Sequence, residues 1–349
     1  MHFESDNAAR VHPAVMGAIT TVADARGSYD GDGWSAQLDP AFSRVFEREV
    51  AVLWVATGTA ANALALSVLC PPFGGIICHE ESHVFADECG AASFFAGGAM
   101  LLPGSGPGAK LAAADVHARL AARDVDQHTL PARCLSITNA SEWGLVYTAA
   151  ETAALGAVCS EFGLRFHVDG ARFANAVAFL GCAPADLSWR AGVDLVSFGF
   201  SKNGALMGEA LVIFDPALVQ ELRYRRKRSG HLPARGRMIA AQLLALVEGD
   251  LWLANARAAN GAAQVLGQGA GARLAYPVEA NEVFVTLSGA EALALRGQGY
   301  SFHDWKVEIG DGIKQKGWGI RRLVTGWHHT APDVAPLAQA LAALPAAPP

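Results

Sequence analysis

Short apolar runs and longer helical patterns alternate along the first two thirds of the chain. Strand-like runs fall at residues 50–55, 75–78, 99–102, 133–138, 164–168, 193–200 and 210–214. Between them, helical spacing of apolar positions marks 60–69, 111–122 and 148–162. Continuous apolar strands separated by helices predict a large, mostly parallel α/β sheet with helices on both faces. Sheets of that kind take ligands at the carboxyl ends of their strands. Past Asp215-Pro216 a basic helix is predicted over 218–227, ending near Ser229-Gly230. A long helix follows over 237–267, with an interruption near Gly249-Asp250. Strands at 283–287 and 321–324 and a final helix at 331–344 make a smaller α+β unit. The expected division is therefore an N-terminal segment, 1–29, a large domain, 30–236, and a small C-terminal domain, 237–349, that includes the long connecting helix. The Ala/Pro-rich tail, 345–349, reads as frayed, and there is no internal repeat.

Composition narrows this picture. A chain of 349 residues that is 52% hydrophobic can bury a full core. A net charge of −6 gives no basic footprint for nucleic acid. No apolar run reaches the length of a membrane span, and the start, Met1-His2-Phe3-Glu4-Ser5-Asp6, lacks the layout of a signal peptide. The six cysteines show neither C-x-x-C nor metal spacing and read as buried, reduced residues of a cytoplasmic protein. Low charge content with many Ala and Gly leaves room for large subunit interfaces.

The stretch 166–202 carries the most chemistry. Its first apolar run ends in Asp169 and its second in Ser201-Lys202. An acid and a lysine at the carboxyl ends of strands meet the needs of pyridoxal 5'-phosphate: the acid pairs with the ring nitrogen, and the lysine holds the aldehyde carbon as a Schiff base. Lys202 alone follows a long apolar run; Lys110, Lys227, Lys306, Lys314 and Lys316 lie in polar or basic surroundings. A buried lysine has its pKa depressed and its amine freed as a nucleophile. Arg172, three residues past Asp169, is within reach of the cofactor or of a substrate carboxylate, with a structural salt bridge as the rival reading. The segment Ala56-Thr57-Gly58-Thr59-Ala60-Ala61-Asn62 follows a strand and opens a helix, so it offers free N–H groups and a positive dipole end to a phosphate. The dipole is worth about 0.3–1 kcal/mol there. A tight turn with Thr59 as N-cap is the alternative that Asp169 and Lys202 outweigh. A Gly104-Ser105-Gly106-Pro107-Gly108-Ala109 motif reads as a surface loop, because Pro107 removes a donor and no strand-ending acid follows at the right distance. His79 and His83 stand among several acids at spacings that fit no standard metal set. His79 reads as a loop residue, and His83 can lie flat on a cofactor ring.

Several segments, in family order over nearly the whole chain, resemble the L-threonine aldolases, in their low-specificity and phenylserine aldolase branch. They are Ser5-Asp6-Asn7, Thr57-Gly58-Thr59-Ala60-Ala61-Asn62, His83 with Asp87-Glu88-Cys89-Gly90, His167-Val168-Asp169-Gly170-Ala171-Arg172, Ser201-Lys202-Asn203-Gly204, Tyr224 through His231, and Arg322-Leu323-Val324-Thr325. The resemblance implies the aspartate-aminotransferase fold (fold type I), with a seven-stranded large sheet. It also implies cleavage of L-3-hydroxy-α-amino acids to glycine and an aldehyde, and a homodimer or homotetramer with active sites at subunit interfaces. It assigns roles in turn. Lys202 binds the cofactor and Asp169 its ring nitrogen. His83 stacks on the ring, and Gly58, Thr59 and Ala60 hold the phosphate. Arg235, with Lys227, approaches the phosphate from a neighbouring subunit. Ser5, Arg172 and Arg322 take the substrate carboxylate, and Tyr29 lies near the site. One departure bears on the substrate: many members carry a histidine after the strand ending near Thr138, whereas this chain has Asn139-Ala140-Ser141-Glu142-Trp143-Gly144. His83, Glu142 or a bound water is then the base for the β-hydroxyl. Asp87 stands where many members have tyrosine, and the loop 305–318 is expected to shape the pocket. β-Elimination, racemisation and transamination on the same scaffold are the nearest rival activities. A non-catalytic interaction protein retaining the fold is the rival from another class.

Overall fold

A computed structural model describes residues 1–22, 26–122, 126–305 and 317–346. The expected seven strands form one sheet: β1 (Ala51–Val55), β2 (Gly75–His79), β3 (Met100–Gly104), β4 (Ala132–Thr138), β5 (Arg165–Gly170), β6 (Leu195–Gly199) and β7 (Glu209–Ile213). Their order is β1-β7-β6-β5-β4-β2-β3, with β7 antiparallel to both neighbours and every other pairing parallel. Every residue of β2, β6 and β7 is buried, as expected of strands covered by helices on both faces. Under one face, Phe198 of β6 packs against Phe42, Phe173, Phe200 and Trp252, with ring centroids between 4.4 and 6.2 Å apart.

The parallel strands bring their carboxyl ends to one edge. Thr138 of β4 pairs with Asp169 of β5, and Asp169 pairs with Ser197 of β6. The turns that leave these strands therefore converge on one site. Helices Arg237–Val247 and Leu251–Ala270 are separated at Gly249 and Asp250, whose φ angles of +73° and +58° end one helix and re-aim the next. Helix Leu251–Ala270 packs against Phe173–Leu180 of the large sheet layer and against the final helix, Ala331–Ala342. The C-terminal unit is a three-stranded antiparallel sheet, β8-β10-β9, made of β8 (Glu282–Ser288), β9 (His303–Asp304) and β10 (Trp318–Val324). Asp124, most of the 305–318 loop with Lys306, Lys314 and Lys316, and the tail from 347 lie outside the described residues. Among the described residues, no helix is long and apolar enough to cross a membrane.

Candidate active site

A cleft of about 1410 Å³ opens at the carboxyl ends of β4, β5 and β6 and reaches across to the small sheet. Asp169 lies in it, 3% exposed, and is held on both oxygens. Oδ1 accepts from the Ala171 amide at 3.0 Å, and Oδ2 from the Asn62 side-chain amide at 2.8 Å. The Asn62 amide nitrogen also donates to Glu88 Oε1 at 2.8 Å, and that same oxygen pairs with His83 Nδ1 at 2.9 Å. A chain of hydrogen bonds thus links His83, at the cleft mouth, to the acid at its floor. The bond to Glu88 raises the His83 pKa, while burial pushes the Glu88 carboxyl upward against it. Neither Asn62 nor Glu88 was singled out from the sequence. The available signal was Asn62 itself, an amide inside the apolar helix Gly58–Leu69.

Lys202 borders the same cleft, in the 3-10 turn Ser201–Asn203 just past β6. It is half-buried, a correction to the expected enclosed amine, because the strand ends at Gly199 and the turn carries the side chain out to the cleft wall. Gly199 permits this approach: a Cβ there would collide with the Ala171 carbonyl. The turn is tied down from two further elements. Glu209 of β7, buried, accepts from the Phe200 amide at 2.6 Å, and Asn203 exchanges hydrogen bonds with Trp252 and Asn255, each 2.8 Å.

The amino end of helix Gly58–Leu69 faces the same cleft through Gly58 and Thr59. The N-cap is Thr57, not Thr59: its hydroxyl accepts from the Ala60 amide at 3.2 Å. The Thr59 hydroxyl is thereby left out of the cap. The first amides of the helix have no intrahelical partner and point outward, and Gly58 has open space where a Cβ would stand. Ala60 spends its amide on the cap and faces a smaller adjoining hollow with Thr57 and Thr59.

The other end of the cleft carries two arginines and two buried acids. Arg172 is bidentate to Asp6, with Nε–Oδ2 at 2.8 Å and Nη2–Oδ1 at 3.0 Å, and its third nitrogen lies 3.1 Å from Glu282. Burial would raise the Asp6 carboxyl, but Arg172, with help from Lys202, holds it down to about 2. Arg322, on β10, is less committed. It lies 3.6 Å from Glu282, donates to the Glu4 carbonyl at 3.3 Å, and has its guanidinium 4.7 Å over the Trp305 ring. Ser5, whose hydroxyl accepts from the Asn7 amide, borders the cleft beside them. Replacing Arg322 by alanine is expected to raise KM for an amino-acid substrate with a smaller change in kcat; steady-state kinetics with an unchanged KM would remove it from carboxylate binding.

Some expected residues lie elsewhere in the chain. Tyr29 and Arg235 bridge through their backbones, and both are exposed away from the cleft, with the Lys227 ammonium 4.6 Å from the Tyr29 ring centroid. His79, expected in a loop, ends β2 and is 4% exposed; its ring bonds the Gly106 carbonyl at 3.0 Å and the Glu81 amide at 3.1 Å. The 104–109 motif it grips is packed rather than a free surface loop. Gly108, at φ +65°, and Ala109 are buried, and a side chain at Gly106 or Gly108 would strike Lys110 or Leu145. Among the cysteines, Cys89 is exposed and Cys182 half-buried, against the expectation that all would be buried.

The donor set fits pyridoxal phosphate: a fixed carboxylate for a ring nitrogen (Asp169), an amine on the same cleft (Lys202), an imidazole at the mouth (His83), and unpartnered helix amides beside an open Gly58 for a phosphate. Comparison with known proteins places the chain in a family. The beta-eliminating lyase family model matches residues 2–290. The low specificity L-threonine aldolase of Pseudomonas sp. (strain NCIMB 10558) is 40% identical over 89% of this chain and 90% of its own. Among solved structures, a threonine aldolase from Leishmania major superposes with a TM-score of 0.89 at 26% identity, over 97% of this chain and 98% of that one. A serine palmitoyltransferase from S. paucimobilis, solved with bound PLP, shares the fold at a TM-score of 0.71 and 17% identity, over 98% and 86% of the two chains. Matched along most of its length in sequence and in backbone, the chain belongs to the beta-eliminating lyase family, on its L-threonine aldolase branch.

Proposed function

We propose that the chain is a pyridoxal phosphate-dependent lyase that splits L-3-hydroxy-α-amino acids, of the threonine, allo-threonine and phenylserine type, into glycine and an aldehyde. The observation that carries this reading is the placement of Asp169 and Lys202 on one cleft, with Arg172 and Arg322 at one end and the helix amides of Gly58 and Thr59 at the other. The cofactor, when bound through a Schiff-base linkage to Lys202, supplies a sink for the electron pair released at Cα. The remaining work belongs to the protein. Asp169, locked by Asn62 and Ala171, keeps a proton on the ring nitrogen. Arg322 anchors the substrate carboxylate, and Arg172, braced by Asp6, shapes that anchor. Fixing the carboxylate decides which bond at Cα lies perpendicular to the ring and is cleaved. The aromatic wall of Trp143, Tyr276 and Trp305 is placed to receive the substrate side chain. The exposed patch of Tyr29, Lys227 and Arg235 supports a homodimer or homotetramer in which Arg235 serves a neighbouring subunit's phosphate site. A cytoplasmic location and a small-molecule substrate complete the reading.

The test is to incubate the holoenzyme with a panel of 3-hydroxy amino acids and measure aldehyde and glycine against ammonia and keto acid. Stoichiometric glycine and aldehyde are expected. Ammonia and keto acid would replace the aldolase reading with β-elimination.

A further inference from the structure

We propose that Glu142 is the catalytic base that accepts the proton of the substrate's β-hydroxyl group. This rests on the aldolase reading. In that cleavage the O–H bond breaks, the Cβ–O bond becomes a carbonyl, and the Cα–Cβ bond breaks. Bound pyridoxal phosphate would supply the sink for the electron pair left at Cα, which takes up a proton to give glycine, and the hydroxyl proton needs an acceptor on the cleft wall. Most of the other carboxylates and imidazoles there are engaged; Glu80 and Asp87 also border the cleft but are exposed to solvent. Glu81 Oε2 accepts from Trp143 Nε1 at 2.8 Å. Glu88 is enclosed behind His83 and Asn62, Asp169 holds Asn62 and Ala171, and Glu282 lies between Arg172 and Arg322. His83 has Nδ1 committed to Glu88, and that bond raises its pKa.

Glu142 has no ion-pair partner among the described residues; Glu88 Oε2 and the Glu282 oxygens also lack a hydrogen-bond donor, but those two carboxylates each have an ion-pair partner. Thr138, in register with Asp169 on the neighbouring strand, donates its hydroxyl to Glu142 Oε1 at 2.9 Å, and the His83 amide donates to the same oxygen at 2.9 Å. One oxygen is thus fixed on the wall between the ring-nitrogen acid and the stacking histidine. The other, Oε2, is buried and has no hydrogen-bond partner among the described residues, although the side chain borders the cleft. A buried acceptor left without a donor is costly, and a substrate hydroxyl supplies the missing one. Burial, reinforced by the negative charge of Asp169, raises the Glu142 carboxyl to about 7. The other titratable and charged groups facing it are His83 and Cys78 from the β2 side, Arg172 past the end of β5, and Tyr147 behind. A base poised near neutrality both takes and returns a proton efficiently.

The experiment compares wild type, Glu142→Gln and Glu142→Asp as holoenzymes. In Glu142→Gln, kcat/KM for L-threonine or phenylserine cleavage is expected to fall about 10²–10⁴-fold. The wild-type rise in kcat/KM as pH increases through about 7 should vanish with it. Exchange of the glycine α-proton with D2O, followed by NMR, should persist, because no hydroxyl proton moves in it. Glu142→Asp should recover part of the cleavage rate. Carbon-13 NMR of glutamate-labelled protein supplies a readout apart from turnover: one carboxyl titrating near 7 in wild type and missing from Glu142→Gln. Near-normal cleavage with an unchanged pH profile would overturn the assignment, and so would equal loss of exchange and cleavage. A wild-type enzyme that exchanges glycine protons yet releases no aldehyde would sink the aldolase reading itself, and the base with it.

Discussion

Substituting Lys202 by alanine is expected to abolish turnover and the visible absorbance of the bound cofactor together. The reason is geometric as well as chemical. Among the described residues, Lys202 is the one lysine on the cleft, and its turn is fixed by Glu209, Trp252 and Asn255. Lys110 is tied to Glu151 and the Val146 carbonyl, and Lys227 leans on Tyr29, so neither is placed to substitute. The fold should survive, because the tethers run to Asn203 and to the Phe200 amide, not to the lysine side chain. Absorbance scans with a circular dichroism control check this. A Lys202→Ala protein that keeps both colour and turnover would remove Lys202 from the chemistry.

The second large effect is expected at Asp169. Asparagine matches its shape and can still accept from the Ala171 amide at Oδ1. Its amide nitrogen would then face either the Asn62 donor or the ring nitrogen, and it cannot hold a proton on that ring. Each unit of pKa bias lost is about 1.4 kcal/mol. The predicted outcome is retained cofactor, little change in KM and a kcat lower by about 10²–10³-fold, the scale seen when one preorganised electrostatic group is removed. Near-normal kcat in Asp169→Asn would take Asp169 out of the electron-sink role. Asn62→Ala should reproduce part of the loss, since it frees Asp169 Oδ2 and breaks the link to Glu88.

Much of the frame was legible before any coordinates. Most strands of the large sheet are near-continuous apolar runs because both faces are covered, and that pattern survives without knowledge of partners; the edge strand β3, with Met100 and Pro103 exposed, is the exception. Asp169 and Lys202 were legible for the same reason: each is the first charged residue after such a run. Helices Pro13–Thr21, Ser35–Phe46 and Phe173–Leu180 were not assigned. Ser35–Phe46 buries Leu38, Ala41, Phe42 and Phe46 at helical spacing but carries Pro40, which reads as a breaker, and Phe173–Leu180 is short and apolar nearly all round. Asn62, Glu88 and Glu209 were missed for different reasons. Glu88 and Glu209 bond residues only 5 and 9 positions away, His83 and Phe200, through turns that the apolar pattern does not specify, whereas the meaning of Asn62 lies in a contact distant along the chain. Asn62 meets Asp169 107 residues away, and nothing local to either announces it. The outweighed alternative set the N-cap at Thr59, two residues past its true place at Thr57, because the two threonines are chemically equal and only backbone geometry separates them. Asp6 and Glu282 show a further limit. Arg172 can be read from sequence as a substrate ligand or as a salt bridge, and it forms salt bridges to Asp6 and Glu282 beside the cleft.

The most direct test of the central claim is to reduce the coloured holoenzyme with sodium borohydride, digest it, and locate the pyridoxyl group by peptide mass spectrometry. A single modified lysine at position 202 is the predicted result. A label at another lysine, or a protein that binds no reducible cofactor, would contradict the account.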